Sequence, residues 1–282
     1  PGEILIRVQA CALNHLDLWT RAGAMGDRGI PMPHILGSDI CGTAEQLGPD
    51  VTDVKVGQRV VLAPGFGCGR CDACRSARDS MCPDYKLRGL QVQGGYAEFT
   101  VAAEWDVIPV SDELDPVEWA SIPLDFLTAW HMLLTRAGLR PGEDVLVQAA
   151  GSGVGSAAIQ IARLVGARRI ITTASTGEKL DGGLQLGADV TVNYVDHPEF
   201  SEQVREATDG RGVDVVVDHV GVDTWDQCLA SLARGGRLVT CGATTGGDVS
   251  INIHQLFLHQ RQVVGSMMGA RAELDRVLAL VE

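Results

Sequence analysis

The pattern of apolar and polar positions changes character near residue 115 of the chain. Before this point the apolar runs are short and are bounded by glycine, proline and aspartate, as at Ile4–Val8, Arg59–Leu62 and Phe99–Val101. Short runs separated by turn-forming residues are typical of an antiparallel, loop-rich β domain. The sequence therefore predicts a β domain over residues 1–115.

Beyond residue 115, strand-like apolar runs alternate with helical stretches. A helical stretch from Asp115 to Ala137 opens this half, and Pro116 suits the first turn of a helix. The predicted strands are Asp144–Ala149, Arg169–Thr173, Val190–Asn193, Val213–Asp218, Arg237–Cys241 and Gln262–Met268, with predicted helices over Gly153–Val165, 199–208 and 224–233. Such alternation predicts right-handed βαβ units and a parallel sheet. The expected fold class is α/β, with a doubly wound domain over residues 116–282.

The composition narrows the class of protein. Of the 282 residues, 45% are hydrophobic and 21% are charged, which is ordinary globular usage. No apolar run approaches the ~20 residues of a membrane span, and no basic and then apolar leader opens the sequence. The net charge of −13 lacks the basic footprint of a nucleic-acid-binding protein. We expect a cytoplasmic protein without membrane or nucleic-acid partners, and a sequence that begins and ends within a longer chain.

Four of the eight cysteines cluster in one loop, over about residues 66–84, with a spacing typical of a zinc site. The cluster consists of Cys68, Cys71, Cys74 and Cys82. Four thiolates complete the tetrahedral shell of Zn²⁺ and leave no open position, which predicts a structural metal. Disulfides or four unrelated buried cysteines are the alternatives. The scattered Cys11, Cys41 and Cys228 are predicted to be buried small hydrophobic residues.

A glycine-rich loop joins the predicted strand Asp144–Ala149 to the helix that begins at Gly153. Backbone N–H groups at such a turn, with the dipole of the following helix, bind a pyrophosphate. In the G-x-G-x-x-G register that ends on Gly155, the first two glycines are replaced by Ala150 and Ser152. The strand–loop–helix context favours a dinucleotide site over a plain tight turn. The predicted binding residues are Gly151, Ser152, Gly153 and Val154.

The end of the next strand bears on the choice of cofactor. NAD sites usually place a carboxylate there to bind the ribose hydroxyls, whereas this sequence has Ser175, Thr176 and Lys179. Two hydroxyls and a cation suit a 2′-phosphate, which favours NADPH over NADH. The alternative is that Ser175 or Thr176 only caps the next helix and that Lys179 is solvated.

These features together resemble the medium-chain dehydrogenase/reductase superfamily, which includes alcohol dehydrogenases and quinone reductases. The likeness covers the whole chain and includes Gly37–Gly42, Gly94–Phe99, the cysteine cluster and the glycine-rich loop. It implies a GroES-like β domain that holds the substrate and a Rossmann domain that binds NAD(P). It also implies that Thr128 packs on the nicotinamide. The residues that it places under the carboxamide are Cys241, Gly242 and Ala243.

The departures from this family bear on the reaction. Zinc alcohol dehydrogenases hold a catalytic zinc with two cysteines and a histidine, and in this sequence Asn14, Ser38 and Leu124 stand at those positions. None of the three is a first-choice zinc ligand, so the resemblance points to the quinone reductase branch without a catalytic zinc. We therefore expect NADPH-dependent reduction of a quinone or an α,β-unsaturated carbonyl, whose oxygen needs only neutral donors such as the Asn14 amide.

Several alternatives remain open from the sequence. Asp39 and Asp125 are candidate catalytic residues that face each other across a cleft, or Asp39 pairs with an arginine and Asp125 caps a helix turn. With His15, these two carboxylates could also recruit a second metal. The function could instead be that of an alcohol or aldehyde dehydrogenase with an atypical site, or of a low-turnover NADPH-binding protein with a structural or sensing role. An edge position of the strand Gln262–Met268 would favour a homodimer.

Overall fold

A computed structural model describes residues 1–23, 30 and 32–281 of the chain. The strands, numbered in chain order, are β1 (Glu3–Ala12), β2 (Asp39–Leu47), β3 (Arg59–Leu62), β4 (Gly65–Phe66), β5 (Lys86–Leu87), β6 (Phe99–Ala103), β7 (Val107–Pro109), β8 (Asp144–Val147), β9 (Arg169–Ala174), β10 (Val190–Asn193), β11 (Val213–Asp218), β12 (Leu232–Thr240) and β13 (Gln262–Gly265). The helices are α1 (His15–Arg21), α2 (Asp72–Arg75), α3 (Pro116–Ala120), α4 (Pro123–Trp130), α5 (Gly153–Val165), α6 (Gly177–Gln185), α7 (Ser201–Ala207), α8 (Val222–Ser231), α9 (Ile253–Leu258) and α10 (Arg271–Val281). Short 3₁₀ turns span Asp79–Met81 and Glu104–Asp106, and a π-helical segment over His131–Arg136 continues α4.

The first part of the chain forms an antiparallel sheet in the order β6-β1-β2-β3-β7. Its apolar core is built from alternating inward-facing side chains, such as those of Ile4 and Ile6 on β1 and of Val60 and Leu62 on β3. Strand β2 packs closely on β1 at Gly42, where a Cβ atom would lie 2.3 Å from the carbonyl oxygen of Arg7. The prediction of a GroES-like β domain is confirmed.

The second part forms a parallel sheet in the order β10-β9-β8-β11-β12-β13. Strands β8 and β11 are almost wholly buried, because helices cover both faces of such a sheet. The chain reverses the direction in which it adds strands between β8 and β11, and ligands bind beyond the carboxyl ends of the strands at this switch point. The predicted α/β class with a Rossmann-like sheet is confirmed.

The described residues form two compact units, Pro1–Leu127 with Met268–Glu282, and Thr128–Met267. The boundary falls later than the residue 115 expected from the sequence, and the last segment, including α10, belongs to the first unit. The single helical stretch expected from Asp115 to Ala137 is interrupted before Pro123, because proline lacks the N–H that would continue a helix. Among the described residues, no helix is both long enough and apolar enough to cross a membrane.

Candidate cofactor, substrate and metal sites

The four clustered cysteines come together around one point. Their sulfur atoms all lie within 4.8 Å of one another, which is the separation that a single tetrahedral ion requires. Backbone N–H groups of Cys68 and Asp84 donate to the sulfur of Cys82 at 3.3 and 3.4 Å. Gly67 must be a glycine here, since a Cβ atom would lie 2.6 Å from the Cys74 sulfur. The predicted Cys₄ zinc site is therefore present, and the alternative of four unrelated cysteines is wrong.

The thiols of this cluster differ in how readily they ionise. Backbone N–H groups of Arg70 and Cys71 lower the pKa of Cys68 to about 6, whereas burial raises the pKa of Cys74 to about 12. One thiolate is thus stabilised by the loop itself. Cys74 must release its proton when a metal binds, which couples zinc binding to pH and to folding.

The glycine-rich loop has the geometry of a phosphate cradle. Ser152 caps α5 by accepting from the N–H of Gly155 at 2.9 Å, which leaves the preceding N–H groups at the helix N-terminus for a ligand. A Cβ atom on Gly155 would lie 2.3 Å from the Ala149 carbonyl oxygen, so only glycine permits this approach of helix to strand. Ala149 itself has φ +55°, a left-handed conformation that is rare for alanine and that turns the chain out of β8.

Ser175, Thr176 and Lys179, which are expected to bind the 2′-phosphate, differ in their surroundings. Thr176 caps α6 by accepting from the N–H of Lys179, which fulfils the alternative interpretation for this residue. Its half-buried neighbour Ser175 follows the end of β9. Lys179 is exposed, but its carbon stem crosses the glycine-rich loop, where a Cβ atom on Gly151 would lie 2.9 Å from its Cγ and Cδ. The cation therefore lies beside the phosphate cradle.

One residue at the carboxyl edge of the sheet was missed from the sequence. His219 follows the last residue of β11, and its Nε2 lies 2.8 Å from the Ser152 hydroxyl oxygen. The predicted residues after β12 lie against it, since a Cβ atom on Gly242 would be 3.0 Å from the His219 carbonyl oxygen. Ala243 follows in the same loop, and the N–H of Cys241 donates to the Asp218 carbonyl oxygen at 3.3 Å. A histidine directly after a central strand is a signal that could have identified this position.

The first unit contains a buried carboxylate that joins three segments. Asp39 begins β2, is 1% exposed, and accepts from the Asn14 side-chain Nδ2 and from the Leu124 backbone N–H, both at 2.8 Å. Asn14 precedes α1, and Leu124 lies in the first turn of α4. Both Asp39 oxygens are therefore bonded to amide N–H groups, where the sequence had left an arginine as an alternative partner.

Asp125 lies beside this buried carboxylate. Burial and, after it, the charge of Asp125 raise the pKa of Asp39 to about 8, although the hydrogen bonds from Asn14 and Leu124 act to lower it. Burial also raises the pKa of Asp125, to about 6, although its side chain remains partly exposed. The unit thus holds two neighbouring carboxyl groups with raised pKa values, of which Asp39 is buried and Asp125 is partly exposed.

Asp17 fixes the loop that carries Asn14. It is 4% exposed and accepts from the N–H groups of Asn14 and Gly37 at 2.8 and 3.0 Å, and from the Tyr96 hydroxyl at 2.8 Å. Gly37 has φ +97°, and a Cβ atom there would lie 2.7 Å from the Tyr96 ring. The carboxylate of Asp17 is thus fully engaged in holding this corner of the unit.

The residues in this cluster do not fit the catalytic zinc that the family resemblance implies. The amide nitrogen of Asn14 faces Asp39, the Ser38 hydroxyl donates to the Arg88 carbonyl oxygen at 2.7 Å, and Leu124 has no donor atom in its side chain. Among the described residues, only the cysteine cluster brings three or more ligand atoms of histidine, cysteine or carboxylate together. The alternative of a second metal at His15, Asp39 and Asp125 is therefore not supported.

The remaining predicted residues have ordinary surroundings. Thr128 is buried in α4. Cys41 and Cys228 are fully buried and Cys11 is half-buried, and burial raises the pKa of each thiol. These three cysteines are therefore unreactive thiols that pack as small hydrophobic residues.

Comparison with known proteins relates both parts of the chain to dehydrogenases. Residues 1–112 match the alcohol dehydrogenase GroES-like domain, and residues 153–282 match the zinc-binding dehydrogenase family. An NAD-dependent alcohol dehydrogenase of Sulfolobus acidocaldarius is 32% identical over all of this chain and 82% of its own length. An alcohol dehydrogenase of Geobacillus stearothermophilus is 33% identical over 98% of this chain and 80% of its own.

A crystal structure of an NAD-dependent alcohol dehydrogenase is also closely similar. It has a TM-score of 0.95 and 43% sequence identity, over 100% of this chain and 81% of that chain. These relatives carry the name alcohol dehydrogenase, so the expected membership of the quinone reductase branch is not supported. The departures at Asn14, Ser38 and Leu124 thus occur within a chain that is otherwise similar to alcohol dehydrogenases.

The closed Cys₄ cluster predicts the metal content. Metal analysis of the purified protein should give about one zinc per chain, because four thiolates fill one tetrahedral shell. The Cys74→Ser variant should lose this zinc, and its midpoint of thermal unfolding should fall by about 5 °C or more, since the metal orders the loop over residues 66–84. Cys11→Ser, which removes a thiol outside this loop, should keep the zinc. Two zinc ions per chain would contradict a single metal site.

Proposed function

Since the chain belongs to the zinc-type alcohol dehydrogenase family of the medium-chain dehydrogenase/reductase superfamily, and is thus an NAD(P)-dependent oxidoreductase, we propose that it interconverts a small alcohol and the corresponding carbonyl compound. The names of its relatives support an alcohol substrate. The loop of Gly151–Val154, with α5 behind it, supports dinucleotide binding. When bound, the nicotinamide supplies or accepts the hydride at the reacting carbon.

The buried Asp39 carboxylate is the observation that carries the proposed mechanism. It binds the amides of Asn14 and Leu124, two of the positions at which zinc alcohol dehydrogenases hold the catalytic metal. These residues offer hydrogen-bond donors rather than metal ligands. In this chain the substrate oxygen therefore exchanges its proton with a protein acid.

Asp125 is the residue that we assign to this proton transfer. In reduction, hydride adds to the carbonyl carbon while the proton of the Asp125 carboxyl group moves to the carbonyl oxygen, which gives the alcohol and the Asp125 carboxylate. In oxidation, the carboxylate takes the hydroxyl proton as the hydride leaves the carbon. A carboxyl group whose pKa is raised to about 6 suits both directions near neutral pH.

The other predicted residues have supporting roles in this proposal. The Asn14 amide has a second N–H besides the one bonded to Asp39, and it binds the substrate oxygen. Thr128 would pack on the nicotinamide, and Cys241, Gly242 and Ala243 in the loop after β12 would hold the carboxamide.

We also propose that NADPH is preferred over NADH. After β9 the chain has no carboxylate before Glu178, so no anion opposes a 2′-phosphate at the strand end. Ser175 offers a hydroxyl there, and Lys179 offers a cation whose stem is fixed on Gly151. The Thr176 hydroxyl can donate to the phosphate while it caps α6.

A second copy of the chain is the proposed partner of the edge strand β13. This strand ends the parallel sheet, and Val263 on it is exposed, as are Ile253 and Phe257 on α9. An edge strand has backbone N–H and C=O groups without a strand partner, and apolar side chains beside it favour pairing with another strand. A two-fold axis would pair the β13 strands of two copies with each other. This surface supports a homodimer.

The role of Asp125 can be tested through the pH profile. Asp125→Asn should lower kcat for alcohol oxidation and carbonyl reduction about 100-fold or more, because the proton donor is removed. In the unaltered enzyme, kcat/KM for reduction should fall as the pH rises through about 6, since reduction needs the protonated acid. Asp39→Asn is the matched control. Because Asp39 is still protonated at the pH at which Asp125 ionises, the pH midpoint of kcat/KM in the Asp39→Asn variant should stay near 6.

The substrate panel for this experiment should include quinones and α,β-unsaturated carbonyls beside alcohols and aldehydes. Turnover of quinones or enones alone would favour the reaction first expected from the sequence. NADPH binding without turnover of any of them would favour a sensing or structural role. An Asp125→Asn variant with unchanged rates and an unchanged pH profile would remove Asp125 from the mechanism.

Lys179 can be tested by the ratio of KM values for the two cofactors. Lys179→Met should raise KM for NADPH about 10-fold and leave KM for NADH nearly unchanged, because only NADPH carries the 2′-phosphate. Lys55→Met, a change at an exposed lysine of the other unit, should alter neither value. Equal increases for both cofactors would mean that Lys179 serves the shared phosphates. A lower KM for NADH in the unaltered enzyme would contradict the NADPH preference.

The homodimer can be tested at β13. Val263→Lys should convert a dimer into a monomer in light scattering after gel filtration, because a lysine on an edge strand opposes pairing. Val101→Lys on β6, the edge of the other sheet, makes the same change at a side chain that is also exposed. It should leave the dimer intact. A protein that is monomeric before any substitution would exclude this interface.

A further inference from the structure

Ser152 and His219 form a hydrogen-bonded pair at the switch point of the parallel sheet. Ser152 follows β8 and His219 follows β11, and these two strands are neighbours with Val147 opposite Val217. Both side chains therefore lie beyond the carboxyl ends of the strands, at the place where doubly wound sheets bind their ligands.

The hydrogen bonds of Ser152 fix the direction of its contact with His219. The hydroxyl oxygen lies 2.9 Å from the Gly155 nitrogen, 2.9 Å from the Ala149 carbonyl oxygen and 2.8 Å from the His219 Nε2. A carbonyl oxygen can only accept, so the single hydroxyl hydrogen is donated to Ala149. The serine oxygen must then accept from both Gly155 and His219. His219 thus carries a hydrogen on Nε2 and donates it to the residue that caps α5.

The turn that presents His219 is rigidly built. The buried Asp218 carboxylate accepts from the N–H groups of Val220 and Gly221 at 3.4 and 3.3 Å, and from the Thr224 hydroxyl at 2.8 Å. Gly221 has φ +99°, and a Cβ atom there would lie 2.5 Å from the Gly246 carbonyl oxygen. Residues on both sides of His219 are therefore held in place before any ligand binds.

We propose that His219 is a positioning residue for the pyrophosphate of the dinucleotide. Its Nε2 hydrogen holds the Ser152 hydroxyl in the capping position of α5, which keeps the N–H groups of Gly153 and Val154 directed out of the loop and toward the phosphates. The bond joins the loop after β8 to the turn after β11, so the phosphate-binding loop is held from both strands at the switch point. This inference rests on the proposed binding of NADPH and does not require an alcohol substrate.

The proposal predicts which part of the cofactor is affected. His219→Ala should lower the affinity for NADPH and for ADP-ribose about 10-fold, because both ligands carry the pyrophosphate. The affinity for 2′-AMP, which lacks the pyrophosphate, should not change. The measurement is a titration of NADPH fluorescence, with ADP-ribose and 2′-AMP as displacing ligands and without any substrate. Lys179→Met serves as an internal control with the opposite pattern. It should lower the affinity for 2′-AMP and change the affinity for ADP-ribose little.

Two further variants separate positioning from a loss of folding. His219→Gln should recover most of the affinity, since its side-chain amide can also donate to Ser152. The double variant Ser152→Ala with His219→Ala should bind ADP-ribose no more weakly than the more weakly binding of the two single variants, because the two residues act through one bond. Thermal unfolding without ligand should be similar for His219→Ala and His219→Gln.

Three outcomes would overturn the proposal. The first is unchanged ADP-ribose affinity in His219→Ala, and the second is an equal loss for 2′-AMP and ADP-ribose, which would reflect general damage to the unit. The third is full additivity of the Ser152 and His219 substitutions. Absence of alcohol turnover would affect none of these readings, since every measurement is of binding.

Discussion

The chemistry available to the first unit depends on one buried carboxylate, that of Asp39. A carboxyl group that is 1% exposed can remain in a fold only when its oxygens are bonded, and here both accept amide hydrogens, from Asn14 and Leu124. These bonds tie the segment before α1, the start of β2 and the start of α4 together. The unit is therefore organised around hydrogen bonds to this one carboxyl group.

The cofactor side depends on a different constraint, the parallel order of its sheet. Because β8, β9, β11 and β12 all run in the same direction, the loops that follow them gather at one edge. These loops and the helix α6 bring together the parts of the candidate cofactor site, which are the glycine-rich loop, Lys179, His219 and Gly242. The positions at which side chains meet here are set by backbone topology. Residues far apart in the chain, such as Ser152 and His219, become direct partners for this reason.

The parts of this fold that could be predicted are those encoded by local pattern. The cysteine spacing and the run from β8 through α5 each lie within a few turns of chain, and both are present as expected. Strand β2 was missed because Gly42 and the polar residues after it leave no compact apolar run, and the strand forms by pairing with β1 and β3 on either side. The contact between His219 and Ser152 could not be predicted, because it joins residues 67 positions apart and no local spacing reveals it.

Replacing a catalytic zinc by a carboxyl group changes how the substrate oxygen is stabilised. A zinc ion with an open position lowers the pKa of a bound hydroxyl before hydride transfer, so an alkoxide can form first. In the proposed mechanism Asp125 would offer one proton and no cationic charge. Asp125 would then have to transfer its proton as negative charge develops on the substrate oxygen, and a carbonyl compound that already disperses this charge would react most readily. If Asp125 acts as proposed, activated carbonyl compounds would gain more from this arrangement than simple ketones would.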